Sequence, residues 1–132
     1  MLSWLPHYQN EINSSLDSFF TSRYHSQTEV EKLYEAAIRY AVEGGGKRLR
    51  PILTLIAYEQ TSGLPASSQV MNVALGIECI HCFTLVHDDL PCMDNDELRR
   101  GKPTVWKKYG ETMAVLIGDT LQTLGFELIA QS

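Results

Sequence analysis

The sequence predicts an all-α fold, and three observations predict it. Apolar residues recur at spacings of three and four from residue 4 to the end of the chain, the period of a helix with one buried face. Breaks in that pattern fall where helix-start or helix-stop chemistry stands: Thr28 with Glu31, the triplet Gly44-Gly45-Gly46, Ser62-Gly63, and Pro91. No stretch reads as a convincing strand, and β-branched clusters such as 115–117 sit inside helical periodicity.

Taken in order, Leu5, Tyr8, Ile12, Leu16, Phe19 and Phe20 place a first amphipathic helix over roughly 4–24. Thr28 and Glu31 form a capping box that starts a second, with Val30, Leu33, Tyr34, Ala37, Tyr40 and Ala41 as its apolar face. The glycine triplet ends it, since glycine adds backbone freedom and permits left-handed caps. Pro51 suits the first turn of a third helix, which runs over Leu53, Leu55, Ile56 and Tyr58 to Ser62-Gly63. A fourth starts near Ser67 or Ser68 and continues through Val70, Val73, Ala74, Ile77, Ile80 and Leu85 to about Asp89. It is nearly polar-free until its end, so it is expected to be central. Pro91 then disfavours helix at Leu90. Residues 95–103 read as a loop, 104–109 as a short helix, and a last helix runs from Glu111 over Met113, Ile117, Leu121, Leu124 and Leu128. It reaches Ser132 without a stop signal, so a frayed end and an interrupted pattern both fit.

The chain has 132 residues, 44% hydrophobic and 20% charged, which is ordinary globular usage for one helical domain over 1–132. Its net charge of −5 argues against a general nucleic-acid binder. No run of 18 apolar residues occurs, so no membrane span is expected. The segment MLSWLPHYQNEINSS lacks a basic region followed by an apolar one, so no signal peptide is expected. Three cysteines, an odd count, fit reduced thiols and a cytoplasmic location.

The chemistry concentrates in HCFTLVHDDLPCMDNDELRR, residues 81–100. Asp88, Asp89, Asp94 and Asp96 follow the apolar helix directly, near its C-terminus, where the macrodipole disfavours negative charge. A hard cation relieves that, and Mg²⁺ typically binds one or two carboxylates together with substrate phosphates. A solvated acidic cap is the alternative. An EF-hand does not fit, because its glycine is missing. Lys47, Arg48 and Arg50 follow glycines and precede a helix, an arrangement suited to phosphate; Arg99 and Arg100 can grip phosphate oxygens. Each basic group alone could equally be a solvated face. Together with the acidic run they suggest a metal-bridged diphosphate. His81, Thr84 and Asp88 share one helix face, His81 and Asp88 about 10 Å apart along the axis. Asp88 and Asp94 can share a site only if Pro91 opens the helix. Cys79-Ile80-His81-Cys82 is a single CxxC inside an apolar helix, a weak signal for zinc or redox chemistry.

GGGKRLRP at 44–51, ECIH at 78–81, HDDLPCMDND at 87–96 and LRRGKPT at 98–104 resemble the all-trans polyprenyl diphosphate synthases, the farnesyl and geranylgeranyl type. The resemblance implies the N-terminal half of an isoprenoid-synthase helical bundle and a prenyltransferase that joins isopentenyl diphosphate to an allylic diphosphate. It implies that Asp88, Asp89 and Asp94 form the first aspartate-rich motif, with Asp88 and Asp94 as Mg²⁺ ligands and Asp89 and Arg99 also catalytic. Lys47, Arg50, His81 and Arg100 would hold isopentenyl diphosphate, and Arg99 the allylic diphosphate. It also implies a homodimer. Family enzymes are roughly twice this length and carry a second aspartate-rich motif, whereas the acidic residues here after Asp96 are only Glu97, Glu111, Asp119 and Glu127. A lone chain is therefore expected to hold half the metal site and to dimerise, recruit a C-terminal half or aggregate. The alternatives are a non-catalytic Mg²⁺-dependent diphosphate-binding remnant, a subunit of a split enzyme, and, outside the family, an acidic helical interaction domain. For product length, helical angles place Thr84 beneath Asp88, while the resemblance points to Phe83 and a short, farnesyl-length product.

Overall fold

The computed structural model describes residues 4–132; the first three, included in the N-terminal reading above, lie outside the described residues. Helix α1 spans Leu5–Arg23, α2 Glu29–Glu43, α3 Leu49–Ser62 and α4 Ser68–Asp88. A two-stranded hairpin follows, β1 Leu98–Arg99 and β2 Lys102–Pro103, then α5 Val105–Tyr109 and α6 Glu111–Ala130. The expected boundaries hold within a residue or two because the caps decide them. The Thr28 hydroxyl accepts from the Glu31 amide at 3.2 Å while the Glu31 carboxylate takes the Thr28 amide at 2.9 Å. At α4 the Ser67 hydroxyl accepts from the Val70 amide.

The core joins Ile12, Leu16 and Phe20 of α1 to Ala37, Ile38 and Val42 of α2, to Ile52 and Leu55 of α3, and to the buried faces of α4 and α6. Helices α4 and α6 form the most extensive pairing. They cross in backbone contact: a Cβ on Gly76 would lie 2.7 Å from the Gly125 carbonyl oxygen, so only glycine fits there. Both have the length and hydropathy of a membrane span. The expectation of none rested on uninterrupted apolar runs. Here the two are the central helices of the bundle, each packed mainly on the other.

Two expectations need correction. The stretch 95–103 is not all loop: Leu98 pairs with Pro103 and Arg99 with Lys102, closing a hairpin over Arg100 and Gly101, whose φ angles are 53° and 77°. Two residues per strand are too few to show an alternating pattern. On α2 the buried stripe is Ala37, Ile38 and Val42, whereas Val30 and Leu33, expected on the apolar face, are exposed. Tyr40, lower on α2, donates its hydroxyl to the Pro103 carbonyl at 2.7 Å and pins the hairpin to the bundle.

Candidate functional site

Helix α4 ends at Asp88 because Pro91 lies three residues on. The chain turns back on itself there. The Asp94 amide donates to the Asp88 carbonyl at 2.8 Å and the Asp96 amide to the Asp89 carbonyl at 3.1 Å. The opening at Pro91 that the Asp88–Asp94 spacing required is therefore present. Among the described residues, the Asp88 and Asp94 carboxylates have no hydrogen-bonded or ion-paired side chain partner. Asp89 is different. It is 3% exposed, and the Arg99 guanidinium grips it through Nη2 at 2.7 Å and Nε at 3.0 Å. That hydrogen bond raises the Arg99 pKa further. Asp89 thus faces an arginine of the hairpin and not the open side with its neighbours.

The basic residues divide in the same way. Lys47, Arg50, His81 and Arg100 line one pocket of about 550 Å³, with Gly46, the aliphatic Leu49 and the Arg48–Glu78 pair also on its wall. Arg50 Nη1 lies 3.3 Å from His81 Nε2. Burial, then the Arg50 charge, hold the His81 pKa below its usual value, with Arg100 and Arg99 adding to this and Glu78 opposing it. Arg100 reaches the pocket across the Gly46 backbone, where a Cβ would stand 2.8 Å from its Nη1. Arg48, grouped in sequence with the phosphate-facing cations, is instead 5% exposed and turned inward onto Glu78 at 2.7 Å. Sequence reading passed over Glu78. Its signal was present: a single carboxylate inside a nearly polar-free helix needs a buried cation.

Arg99 lines a second, narrower cavity of about 60 Å³ between α2, α4 and the hairpin, with Tyr40, Asp89 and Thr104. That volume takes a few waters and no diphosphate, so a diphosphate could meet Arg99 only on its solvent side, where the side chain is 35% exposed. Phe83 is half-buried, edge-on to the His87 ring at 5.0 Å, and the exposed Thr84 gives its hydroxyl to the His81 carbonyl at 2.8 Å. Cys79 and Cys82 are buried, and burial raises both thiol pKa values, Cys82 to about 12, which makes them inert. Among the described residues, no three His, Cys, Asp or Glu side chains converge as a cation cage. Two unpartnered carboxylates at and after the end of the helix that carries His81 suit a hard cation that takes the rest of its ligands from water and an anionic substrate.

Comparison with known proteins gives a consistent result. The chain is 47% identical over 121 residues to the heterodimeric geranylgeranyl pyrophosphate synthase large subunit 1, chloroplastic, of Arabidopsis thaliana, covering 92% of this chain and 30% of that protein. It is 48% identical over 110 residues to the farnesyl diphosphate synthase of Geobacillus stearothermophilus, covering 83% of this chain and 36% of that protein. The structure of a geranyltransferase from Legionella pneumophila superposes with a TM-score of 0.83 at 35% identity, over 94% of this chain and 41% of that one. The chain thus spans about a third of the length of these curated relatives. The family profile described as Polyprenyl synthetase matches residues 31–132, and the chain belongs to that family.

Proposed function

We propose that residues 1–132 form one helical unit that supplies the first aspartate-rich half of a trans-prenyltransferase site, joining isopentenyl diphosphate to an allylic diphosphate. One observation carries the reading. Lys47, Arg50, His81 and Arg100 come from three separate segments and line a single pocket. Three exposed cations and an imidazole, with the Arg48 charge answered by Glu78, match a diphosphate in charge and in hydrogen-bond donors.

In this proposal Lys47, Arg50, His81 and Arg100 hold isopentenyl diphosphate. Asp88 and Asp94 hold Mg²⁺, which supplies Lewis-acid stabilisation of the diphosphate leaving group. Arg99 faces the allylic diphosphate, and Asp89 keeps its guanidinium in place. The allylic substrate ionises with loss of diphosphate, the double bond of isopentenyl diphosphate attacks the cation, and the tertiary cation so formed loses a proton to the departed diphosphate, which restores a double bond. Apolar helix walls exclude the water that would otherwise trap it. Phe83 is the proposed floor of the growing chain, giving a farnesyl-length product, with Thr84 as the neighbouring candidate. Val115, Leu116 and Phe126 are exposed on α6, on a face which in this proposal is covered by a second copy or by the C-terminal part of the fold. Free thiols at Cys79, Cys82 and Cys92 support a reducing, cytoplasmic setting.

The test is calorimetric titration of the chain with geranyl diphosphate and Mg²⁺. Asp88→Ala or Asp94→Ala should abolish the Mg²⁺-dependent binding, while Cys79→Ala leaves it nearly intact. Unchanged affinity in both aspartate variants would make the acidic turn a solvated cap.

A further inference from the structure

We propose that Arg48 and Glu78 are positioning residues, whose buried ion pair sets the course of the backbone so that Lys47 and Arg50 face the anion pocket. The inference rests on the reading of that pocket as a diphosphate site. Arg48 and Glu78 are 5% and 4% exposed, in contrast to the exposed Lys47 and Arg50 on either side of Arg48. The Arg48 guanidinium is used in three directions. Nη1 donates to Glu78 at 2.7 Å, Nη2 to the Val42 carbonyl at 2.8 Å, and Nε to Asn13 Oδ1 at 3.0 Å. One side chain therefore ties α1, the last turn of α2 and α4 together.

The backbone shows what this tie achieves. Arg48 stands at φ 51° and ψ 32°, a left-handed conformation that a residue with a Cβ adopts only when its surroundings demand it, and it is also the N-cap of α3. The reversal at that residue turns Arg48 inward and leaves Lys47 and Arg50 outward. Glu78 and His81 are one turn apart on α4, so the helix that anchors Arg48 also carries the imidazole beside Arg50. Lysine at position 48 cannot reproduce the arrangement, because an ammonium lacks the planar fork that reaches three acceptors.

The experiment uses the full chain and two readouts: calorimetric binding of inorganic pyrophosphate with Mg²⁺, and the NMR titration of His81, which faces Arg50, Glu78, Arg100 and Arg99. Arg48→Lys keeps Glu78 and the charge. It should weaken pyrophosphate by about tenfold, the loss of one charge-assisted hydrogen bond to the anion. It should also raise the His81 titration towards that of an Arg50→Gln reference, because Arg50 is no longer held beside the ring. The Arg48→Met, Glu78→Met double variant removes both charges with an apolar replacement and should stay folded yet lose the same affinity. Asn13→Ala, which deletes one outer bond, should shift both readouts in the same direction by less. If Leu128→Ala, a core substitution on α6, weakens pyrophosphate as much as Arg48→Lys does, the effect is general destabilisation and the positioning role is overturned. If Arg48→Lys folds with His81 and pyrophosphate affinity both unchanged, it is overturned directly. Should the parent chain take up no pyrophosphate, the diphosphate reading falls, and the His81 titration alone then decides the positioning role.

Discussion

Arg99→Leu should cost the fold more than Asp89→Asn, although each breaks the same ion pair. The difference follows from burial on the two sides. Asp89 is 3% exposed, whereas the Arg99 side chain is 35% exposed. Without the guanidinium, a buried carboxylate is left with no cation, a loss of about 3 kcal/mol. Without the carboxylate, the guanidinium can turn to water, and the asparagine carbonyl still accepts one of its bonds, so the loss is about 1 kcal/mol. With a urea slope of about 2 kcal/mol/M for a chain of this size, the two midpoints should differ by about 1 M. The assay is urea unfolding followed by far-UV circular dichroism at pH 7, both variants and the parent at one protein concentration. Equal midpoints, or a lower one for Asp89→Asn, would refute the argument that the stranded carboxylate dominates.

Gly76→Ala should destabilise by about 2 kcal/mol despite alanine's helical preference of up to ~1 kcal/mol, because the new methyl meets a backbone oxygen that cannot move alone; thermal unfolding measures it, and a stabilised variant would show that α4 and α6 can part freely. The depressed His81 pKa gives stability that is full above the ordinary value of 6.5 and falls as pH drops from there through the folded value, since the unfolded chain then binds a proton the folded chain resists. Urea midpoints across that range should lose part of their slope in His81→Gln; an identical slope would place the titration elsewhere. In an enzyme completed by the C-terminal part of the fold, Phe83→Ala should lengthen products made from isopentenyl and geranyl diphosphate; an unchanged distribution with a stability loss of about 3 kcal/mol would mark Phe83 as packing.

The helices were legible because their signals are local. Thr28 with Glu31, Ser67 and Pro91 each act within one turn, so the linear sequence contains the whole interaction. The all-α class and the family were legible for a similar reason, as contiguous motifs, whereas the gathering of Lys47, Arg50, His81 and Arg100 from three segments was legible only through the family resemblance. What escaped depends on direction. Nothing in the string Lys47-Arg48-Leu49-Arg50 says that the middle cation points inward; that is set by Glu78, thirty residues on. Asp88 and Asp89 look alike in sequence, yet Asp89 is claimed by Arg99 across a hairpin whose strands are too short to be seen as strands. The exposed start of α2 escaped because periodicity reports which face is apolar and not whether a neighbour reaches it.

The hairpin turn carries a consequence for directed evolution. Arg100 and Gly101 both have positive φ, the conformation that two-residue turns normally fill with Asn-Gly. Arginine is a poor choice there by conformational preference alone. A library selected only for resistance to heat should therefore drift to asparagine or glycine at position 100, and in doing so empty the pocket of one of its three exposed cations. A parallel library selected for retention on a pyrophosphate matrix should hold arginine at that position. The two selections pull on one residue in opposite directions, so a thermostable variant of this chain is best screened with position 100 kept constant.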